Sequence, residues 1–183
     1  YFVNFSDFFK QLSQNEKIIN IVNKLMGEES IIFKDKINFK YPNEKGFLPH
    51  QDITAGWSNY TNKHITVGIP LCNTNDDNGC LYFSKDKINQ QLTENFKDLD
   101  LDLEYNPVYT NIGDIVIFDS FIPHKSFTNN TSEERPFIYF TYTPKSEGSY
   151  YEKYHQDKFK NVPPDIYREK DKIYRSNFGV SFE

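Results

Sequence analysis

Short runs of β-branched and aromatic residues recur along this chain, and turn-forming residues separate them. Such side chains suit a pleated, half-buried surface, so each run predicts a strand. The runs cover residues 31–41, 64–72, 79–83, 114–118 and 136–143. Aromatic residues make up 17% of the chain, so rings supply much of its apolar volume. Several short strands of this kind predict a mainly β fold, a jelly roll or another antiparallel double sheet.

The two ends of the chain differ from this pattern. Apolar residues in the first 26 positions follow helical spacing, with Ser6 as a cap and Gly27 as a stop, which predicts one or two flanking N-terminal helices. The stretch 84–102 predicts a surface excursion or a short helix, and the tail from 144 onwards gives no firm prediction. The 183 residues have the length of one domain, 1–183. The opening Tyr1 indicates that the native N-terminus is missing.

Charge and cysteine content narrow the classes of function. A net charge of −5 argues against a nucleic-acid partner, because phosphate binding needs clustered excess Lys and Arg. Two cysteines, Cys72 and Cys80, are too few for a disulfide scaffold, which favours a reducing, cytoplasmic location. The sequence contains no apolar run of about 18 residues, so no membrane span is predicted. A small-molecule substrate is therefore expected, while the oligomeric state cannot be deduced from the sequence.

A histidine and a carboxylate lie two residues apart in the segment PHQD, as His50 and Asp52. On an extended chain both side chains project from the same face and can share one metal ion. His124, in the segment FDSFIPHKS after a predicted strand, is the best-placed third ligand. Two histidines and one carboxylate leave other coordination positions open, which is the arrangement of non-haem Fe(II) oxygenases that bind O₂.

Two further residues, both C-terminal to His124, indicate that the protein binds a cosubstrate. Arg135 follows His124 by eleven residues and begins the next predicted strand. Its guanidinium suits bidentate binding of the distal carboxylate of a dicarboxylic acid. Ser126, two residues beyond His124, points the same way as that ligand and offers a hydroxyl donor. These residues together predict binding of 2-oxoglutarate.

Each of these residues also has a simpler explanation when taken alone. An H-x-D segment occurs by chance, His124 can be a loop histidine, and Arg135 can balance Glu133 and Glu134. Their order, each beside a predicted strand, favours the metal oxygenase. Two alternatives stay open: a jelly-roll protein that binds a metal or small ligand without turnover, and a zinc hydrolase with the same three ligands.

Three blocks of the sequence resemble the phytanoyl-CoA dioxygenase family of iron(II) and 2-oxoglutarate enzymes. They are FKDKINFKYPNEKGFLPHQD, HITVGIPLCNTNDDNGCLYFS and GDIVIFDSFIPHKSFTNNTSEERPFIYFTY, in the order of that family. The tail YYEKYHQDKFKNVPPDIYREKDKIY and the block FKDKINFK are most similar to the 2-aminoethylphosphonate dioxygenase-like branch. The resemblance implies a double-stranded β-helix, a distorted, cupin-like jelly roll, with the iron between its sheets.

The resemblance also implies roles for further residues. Asn38 is expected to contact 2-oxoglutarate, and Asp52 favours hydroxylation, because related halogenases have a small residue there. Lys34 and Lys36 contact the cosubstrate or an anionic substrate such as a phosphonate or carboxylate, or are solvated lysines of an edge strand. Trp57 faces the substrate or packs in the core. Gln51, between the two ligands and facing the opposite way, completes the predicted substrate-binding set.

Overall fold

The computed structural model describes residues 1–86, 88, 91–92, 103–170, 174–175 and 181–182. Its helices are α1 (Asp7–Ser13), α2 (Glu16–Met26) and α3 (Tyr151–Asn161), with 3₁₀ turns at Asp52–Ala55, Trp57–Asn59, Lys145–Glu147 and Asp165–Tyr167. Its strands are β1 (Ser30–Lys40), β2 (Ile65–Pro70), β3 (Leu81–Ser84), β4 (Tyr105–Val108), β5 (Val116–Asp119), β6 (His124–Ser126), β7 (Arg135–Pro144), β8 (Tyr174–Arg175) and β9 (Ser181–Phe182).

The strands form two main antiparallel sheets. The larger sheet has the order β1-β7-β2-β5 and the smaller one the order β4-β3-β6, while β8 and β9 pair separately. The predicted mainly β, double-stranded β-helix fold is confirmed. Each of the five predicted strands is present with slightly different bounds, whereas β4, β6, β8 and β9 are additional. Most of the predicted excursion 84–102 lies outside the described residues.

The predicted N-terminal helices are α1 and α2, and they cover one face of the larger sheet. Asn15 caps α2, because its side chain accepts hydrogen bonds from the backbone N–H groups of Lys17 and Ile18. Gly27 ends this helix in the left-handed conformation, with φ 86°. Ser6 precedes α1 but makes no side-chain cap hydrogen bond. No helix within the described ranges combines the length and apolar character needed to cross a bilayer.

The outer face of the larger sheet forms the main core with these helices. Val67 of β2 and Phe140 of β7 are partners in the antiparallel register, and both are completely buried beside Val22 and Met26 of α2. The side chains of alternate residues project to the other face of the sheet. There Thr66 and Thr141 are partners, and their hydroxyl oxygens lie 3.0 Å apart. This inner face is polar because it faces a cavity between the two sheets.

Strand β1 presents its polar residues to the same cavity. A register shift between Ile32 and Lys34 marks a β-bulge, after which Lys36 lies opposite Tyr139 and Lys40 lies opposite Arg135 of β7. Lys34, Lys36 and Asn38 therefore share one face of β1. The wet side of the strand is the inside of the double sheet.

Candidate metal centre

His50, Asp52 and His124 come together at the cavity between the sheets. Their ligand atoms all lie within 4.8 Å of one another. The backbones of His50 and His124 form an isolated antiparallel bridge, with reciprocal N–H to carbonyl distances of 3.0 and 2.9 Å. Asp52 begins a 3₁₀ turn after the extended residue Gln51. The expected H-x-D strand is thus a single bridge followed by a turn, and this turn directs the carboxylate toward both imidazoles.

Backbone carbonyl groups orient both imidazole rings. Nδ1 of His50 lies 2.7 Å from the carbonyl oxygen of Leu48, and Nδ1 of His124 lies 3.0 Å from that of Ile122. A carbonyl oxygen only accepts, so Nδ1 is the protonated nitrogen in each neutral ring. The Nε2 lone pairs remain available, and each Nε2 lies 4.0 Å from Oδ1 of Asp52. Such hydrogen bonds behind the ligand are typical of metal-binding histidines.

The local electrostatics keep the centre in a metal-binding protonation state. Burial and the neighbouring imidazole of His124 lower the pKa of His50 to about 4. Burial alone would raise the pKa of Asp52, but His124, Lys34 and His50 outweigh it, and the pKa is lowered. Near neutral pH the ring of His50 is therefore neutral and Asp52 is ionised, as metal ligands must be.

The cavity above these three residues combines cationic, polar and aromatic side chains. Its lining consists of Lys34, Lys36, Asn38, Phe47, His50, Asp52, Trp57, Thr66, Leu81, Phe118, His124, Lys125, Ser126, Tyr139 and Thr141. Asp52 is the only carboxylate in this lining, within the part of the chain that the structure describes. The lining therefore has the charge pattern of a site for an anion beside a metal ion.

Two lysines of β1 project into the cavity, next to aromatic rings. Nζ of Lys34 lies 4.3 Å from the ring centroid of Trp57, and Nζ of Lys36 lies 5.0 Å from that of Phe47. Burial lowers the pKa of Lys34, although Asp52 opposes this effect. Burial and the charge of Lys34 lower the pKa of Lys36 to about 7. Both lysines lie inside the double sheet and are only partly exposed, unlike solvated lysines of an edge strand.

The two remaining candidates for substrate contact occupy different places. Trp57 is 1% exposed and packs against Phe33 in a second core cluster, yet it also lines the cavity, so it combines both predicted positions. Gln51 is completely buried and is not among the cavity residues. Its Nε2 donates to the carbonyl of Phe121, and its Oε1 accepts from the backbone N–H of Leu92. The amide of Gln51 thus binds backbone groups of two segments and lies outside the cavity lining.

Arg135 is not among the residues that line the cavity, but it begins β7, four residues before the lining residue Tyr139, and part of its hydrogen-bonding capacity is unused. It is 1% exposed, and its Nε and Nη1 have no hydrogen-bond partner within the described part of the chain. Its guanidinium lies 5.6 Å from the ring centroid of Phe137. Buried N–H groups are nearly always paired, so these two donors fit an absent anionic group such as a carboxylate. Ser126 and Asn38, the other predicted cosubstrate contacts, line the cavity.

Two residues of this region were missed in the sequence analysis. Lys40 continues the spacing of Lys34 and Lys36 along β1 and is buried next to Ser126. Tyr139 follows Arg135 by four residues on the same face of β7 and lines the cavity. In both cases the period of two was a usable signal, but the faces of the strands could be assigned only once the sheets were paired.

The fold and the cluster together define a class of protein. Two histidines and one carboxylate with open positions, set in a double-stranded β-helix, are the donor arrangement of non-haem iron oxygenases. The phytanoyl-CoA dioxygenase (PhyH) family model matches residues 3–137, and the chain belongs to this family. The predicted resemblance and the predicted enzyme class, a dioxygenase, are confirmed.

Two curated relatives share more than a third of their aligned residues with the chain. The chain is 37% identical over 182 residues to 2-aminoethylphosphonate dioxygenase of Uncultured bacterium HF130_AEPn_1, covering 94% of this chain and 70% of the relative. It is 36% identical over 164 residues to methylphosphonate hydroxylase of Gimesia maris, covering 86% of this chain and 62% of the relative. The chain therefore spans about two thirds of the length of these relatives.

Solved structures support the fold. EctD from S. alaskensis with 2-oxoglutarate and 5-hydroxyectoine is similar with a TM-score of 0.66 at 18% identity, over 80% of this chain and 55% of that protein. The epimerase SnoN in complex with Fe³⁺, alpha ketoglutarate and nogalamycin RO is similar with a TM-score of 0.64 at 18% identity, over 97% of this chain and 72% of that protein. At this identity the similarity establishes the shared architecture.

Proposed function

We propose that this protein is an iron(II)- and 2-oxoglutarate-dependent dioxygenase that hydroxylates an unactivated C–H bond of a small phosphonate and releases succinate and CO₂. The observation that carries this proposal is the placement of Lys34 and Lys36 in the same cavity as the His50, Asp52 and His124 cluster. The names of the two curated relatives, which act on phosphonates, support this substrate class over other small anions.

The donor set fits the metal, and the residues beside it fit the cosubstrate. Iron(II) would be held by His50, Asp52 and His124, and when bound it would activate O₂ together with 2-oxoglutarate. Arg135 would bind the distal carboxylate of 2-oxoglutarate through its unpaired N–H donors, with Ser126 and Asn38 as further polar contacts. The burial of Arg135 excludes water from this contact and strengthens it.

The lysine pair gives the substrate an orientation. A phosphonate group has three acceptor oxygens and carries up to two negative charges, so two ammonium groups on one strand face match it. Lys34 and Lys36 are i and i+2 on β1 and therefore project in the same direction. With the phosphonate held there, the attached carbon is directed toward the His50, Asp52 and His124 cluster. The chain would thus position the C–H bond by its anionic end.

Substrate-dependent succinate formation tests the function. We expect protein reconstituted anaerobically with Fe(II) and then given O₂ and 2-oxoglutarate to form succinate with 2-aminoethylphosphonate or methylphosphonate. The carboxylate analogues β-alanine and acetate are expected to give much less succinate. Equal turnover of the carboxylates would contradict a phosphonate substrate. Metal binding without succinate from any tested phosphonate, amine, amino acid or betaine would favour the alternative of a jelly-roll binding protein.

Removing the charge of either lysine should weaken substrate binding more than turnover. For Lys34→Met and Lys36→Met we expect the KM for the phosphonate to rise about tenfold, since each removes one charge-assisted contact, with kcat within about threefold. Lys125→Met is the matched control, because this lysine also lines the cavity and also lies over a ring, 4.3 Å from the centroid of Tyr105, but belongs to β6 and not to β1. Steady-state kinetics measure both constants. A larger effect of Lys125→Met would place the phosphonate at the other side of the cavity.

A further inference from the structure

A second buried cation lies opposite Arg135 on the neighbouring strand. Lys40 is the last residue of β1, is 1% exposed, and is the register partner of Arg135 in β7. Like charges directly opposite each other in an antiparallel pair are destabilising, and burial of a charge adds to this cost. No salt bridge to either cation exists among the residues that the structure describes. Such a pair is suited to a site that receives an anion.

The ammonium group of Lys40 has a complete set of acceptors. Its Nζ donates to Ser126 Oγ at 2.8 Å, to the carbonyl of Phe127 at 2.7 Å and to that of Gly79 at 3.2 Å. Three N–H groups and three acceptors leave no donor free for a ligand. Lys40 also does not line the cavity. An effect of Lys40 on a bound molecule must therefore pass through one of these neighbours.

Ser126 is the neighbour that reaches the cavity. Its Oγ accepts from Nζ of Lys40 and also from the backbone N–H of Phe47, at 3.1 Å. A hydroxyl has two lone pairs and one hydrogen, so both lone pairs are occupied and only the hydrogen is available. Ser126 lines the cavity, so this hydrogen is the part of the hydroxyl that can donate to a molecule bound there. Lys40 and Phe47 thus convert an ambivalent hydroxyl into a fixed donor.

Backbone atoms pack closely around Lys40 and Ser126. A Cβ atom at Gly46 would lie 1.8 Å from the carbonyl oxygen of Ser126, and one at Gly79 would lie 2.4 Å from that of Phe127 and 3.0 Å from Nζ of Lys40. Gly79 also has φ +70°, a conformation that other residues rarely adopt. Both glycines allow the chain to pack directly onto β6. The Lys40 ammonium therefore lies next to Ser126 among closely packed backbone atoms.

We propose that Lys40 is a positioning residue for the cosubstrate, which holds the Ser126 hydroxyl as a hydrogen-bond donor to the distal carboxylate of 2-oxoglutarate. This inference rests on the proposed function, since it assumes that 2-oxoglutarate binds beside Arg135. The roles proposed for the metal centre and for Lys34 and Lys36 do not involve Lys40, so this role is separate from them. The predicted signature is selectivity: Lys40 affects acids with a distal carboxylate and not those without one.

The test measures anaerobic binding of two 2-oxoacids to the Mn(II)-loaded protein by titration calorimetry. We expect Lys40→Met to weaken the binding of 2-oxoglutarate about tenfold. The affinity for 2-oxobutyrate, which lacks the distal carboxylate, should stay within about twofold of that of the parent protein. Ser126→Ala should reproduce both results, and the double variant should bind 2-oxoglutarate within about threefold of Ser126→Ala alone. Lys63→Met is the control, because its Nζ also donates to backbone carbonyls, those of Leu25 and Met26.

Three results would overturn the role of Lys40. They are unchanged binding of 2-oxoglutarate by Lys40→Met, equal weakening of both acids, and full additivity with Ser126→Ala. If Lys40→Met does not fold, as judged by circular dichroism, Lys40→Gln keeps a neutral N–H donor and is expected to bind 2-oxoglutarate within about threefold of the parent. A loss of about tenfold or more in Lys40→Gln would overturn the inference. Failure of the parent protein to bind 2-oxoglutarate would instead refute the proposed function.

Discussion

Replacing His124 with alanine is expected to abolish substrate-dependent succinate release, with a loss of at least about 1000-fold, more than the 10- to 100-fold typical of residues behind the ligands. Among the residues that the structure describes, the Nε2 atom of His124 is one of three ligand atoms that meet at the centre, and Oδ1 of Asp52 lies 4.0 Å from it. Removing it leaves two ligands, too few to hold iron(II) firmly with open positions. Iron content after anaerobic reconstitution, together with succinate release, measures the effect.

His155 provides the matched control for this substitution. It is 8% exposed, compared with 6% for His124, and its Nε2 also lies close to a carboxylate, 3.2 Å from Oδ1 of Asp35. Asp35 accepts hydrogen bonds from the backbone N–H groups of Phe2 and Val3, so this cluster ties the first residues to β1. His155→Ala should therefore lower the free energy of unfolding but retain iron. A His124→Ala protein that keeps full iron content and turnover within about tenfold would contradict the proposed metal centre.

The sequence allowed the chemistry-bearing residues to be predicted because they lie close together along the chain or beside strands. His50 and Asp52 are two residues apart, and Ser126 and Arg135 follow His124 at short distances. The period of two applies to His124 and Ser126 within β6, whereas His50 and Asp52 meet through a single bridge followed by a 3₁₀ turn. Lys34, Lys36 and Asn38 alternate along β1, and all three line the cavity.

Other features depend on partners that are distant in sequence. Gln51 was expected near the substrate, but its amide binds backbone groups of Phe121 and Leu92, which the sequence does not place beside it. Lys40 was missed because its acceptors, Ser126 Oγ and two carbonyls, belong to other segments. Helix α3 was also missed. Its buried Tyr151, Tyr154 and His155 do follow helical spacing, but they lie in a polar background without a strong apolar signal.

Arg135→Met is expected to separate function from stability. Without its guanidinium, the distal carboxylate of 2-oxoglutarate loses a buried ionic contact, and we expect the KM for 2-oxoglutarate to rise at least about 100-fold. In the absence of cosubstrate, Arg135 is a buried cation whose Nε and Nη1 have no hydrogen-bond partner among the described residues, and Lys40 lies opposite it. Replacing such a group with an apolar side chain of similar length should leave the free energy of unfolding unchanged or raise it by about 1 kcal/mol. Steady-state kinetics and urea unfolding measure the two effects.

A higher KM for 2-oxoglutarate together with an unchanged free energy of unfolding distinguishes a ligand-binding arginine from one that stabilises the fold. An arginine that held the fold together would lower the unfolding free energy when replaced, because its partners would lose their hydrogen bonds. Arg168 is the comparison, since its Nε donates to the carbonyl oxygen of Pro163, whereas Nε of Arg135 has no hydrogen-bond partner among the described residues. Arg168→Met should leave the KM for 2-oxoglutarate unchanged. Removing one partner of a buried ion pair destabilises a protein by about 3–5 kcal/mol. If Arg135→Met is destabilised by that amount and still binds 2-oxoglutarate normally, Arg135 has a structural role and its unpaired donors do not bind a carboxylate.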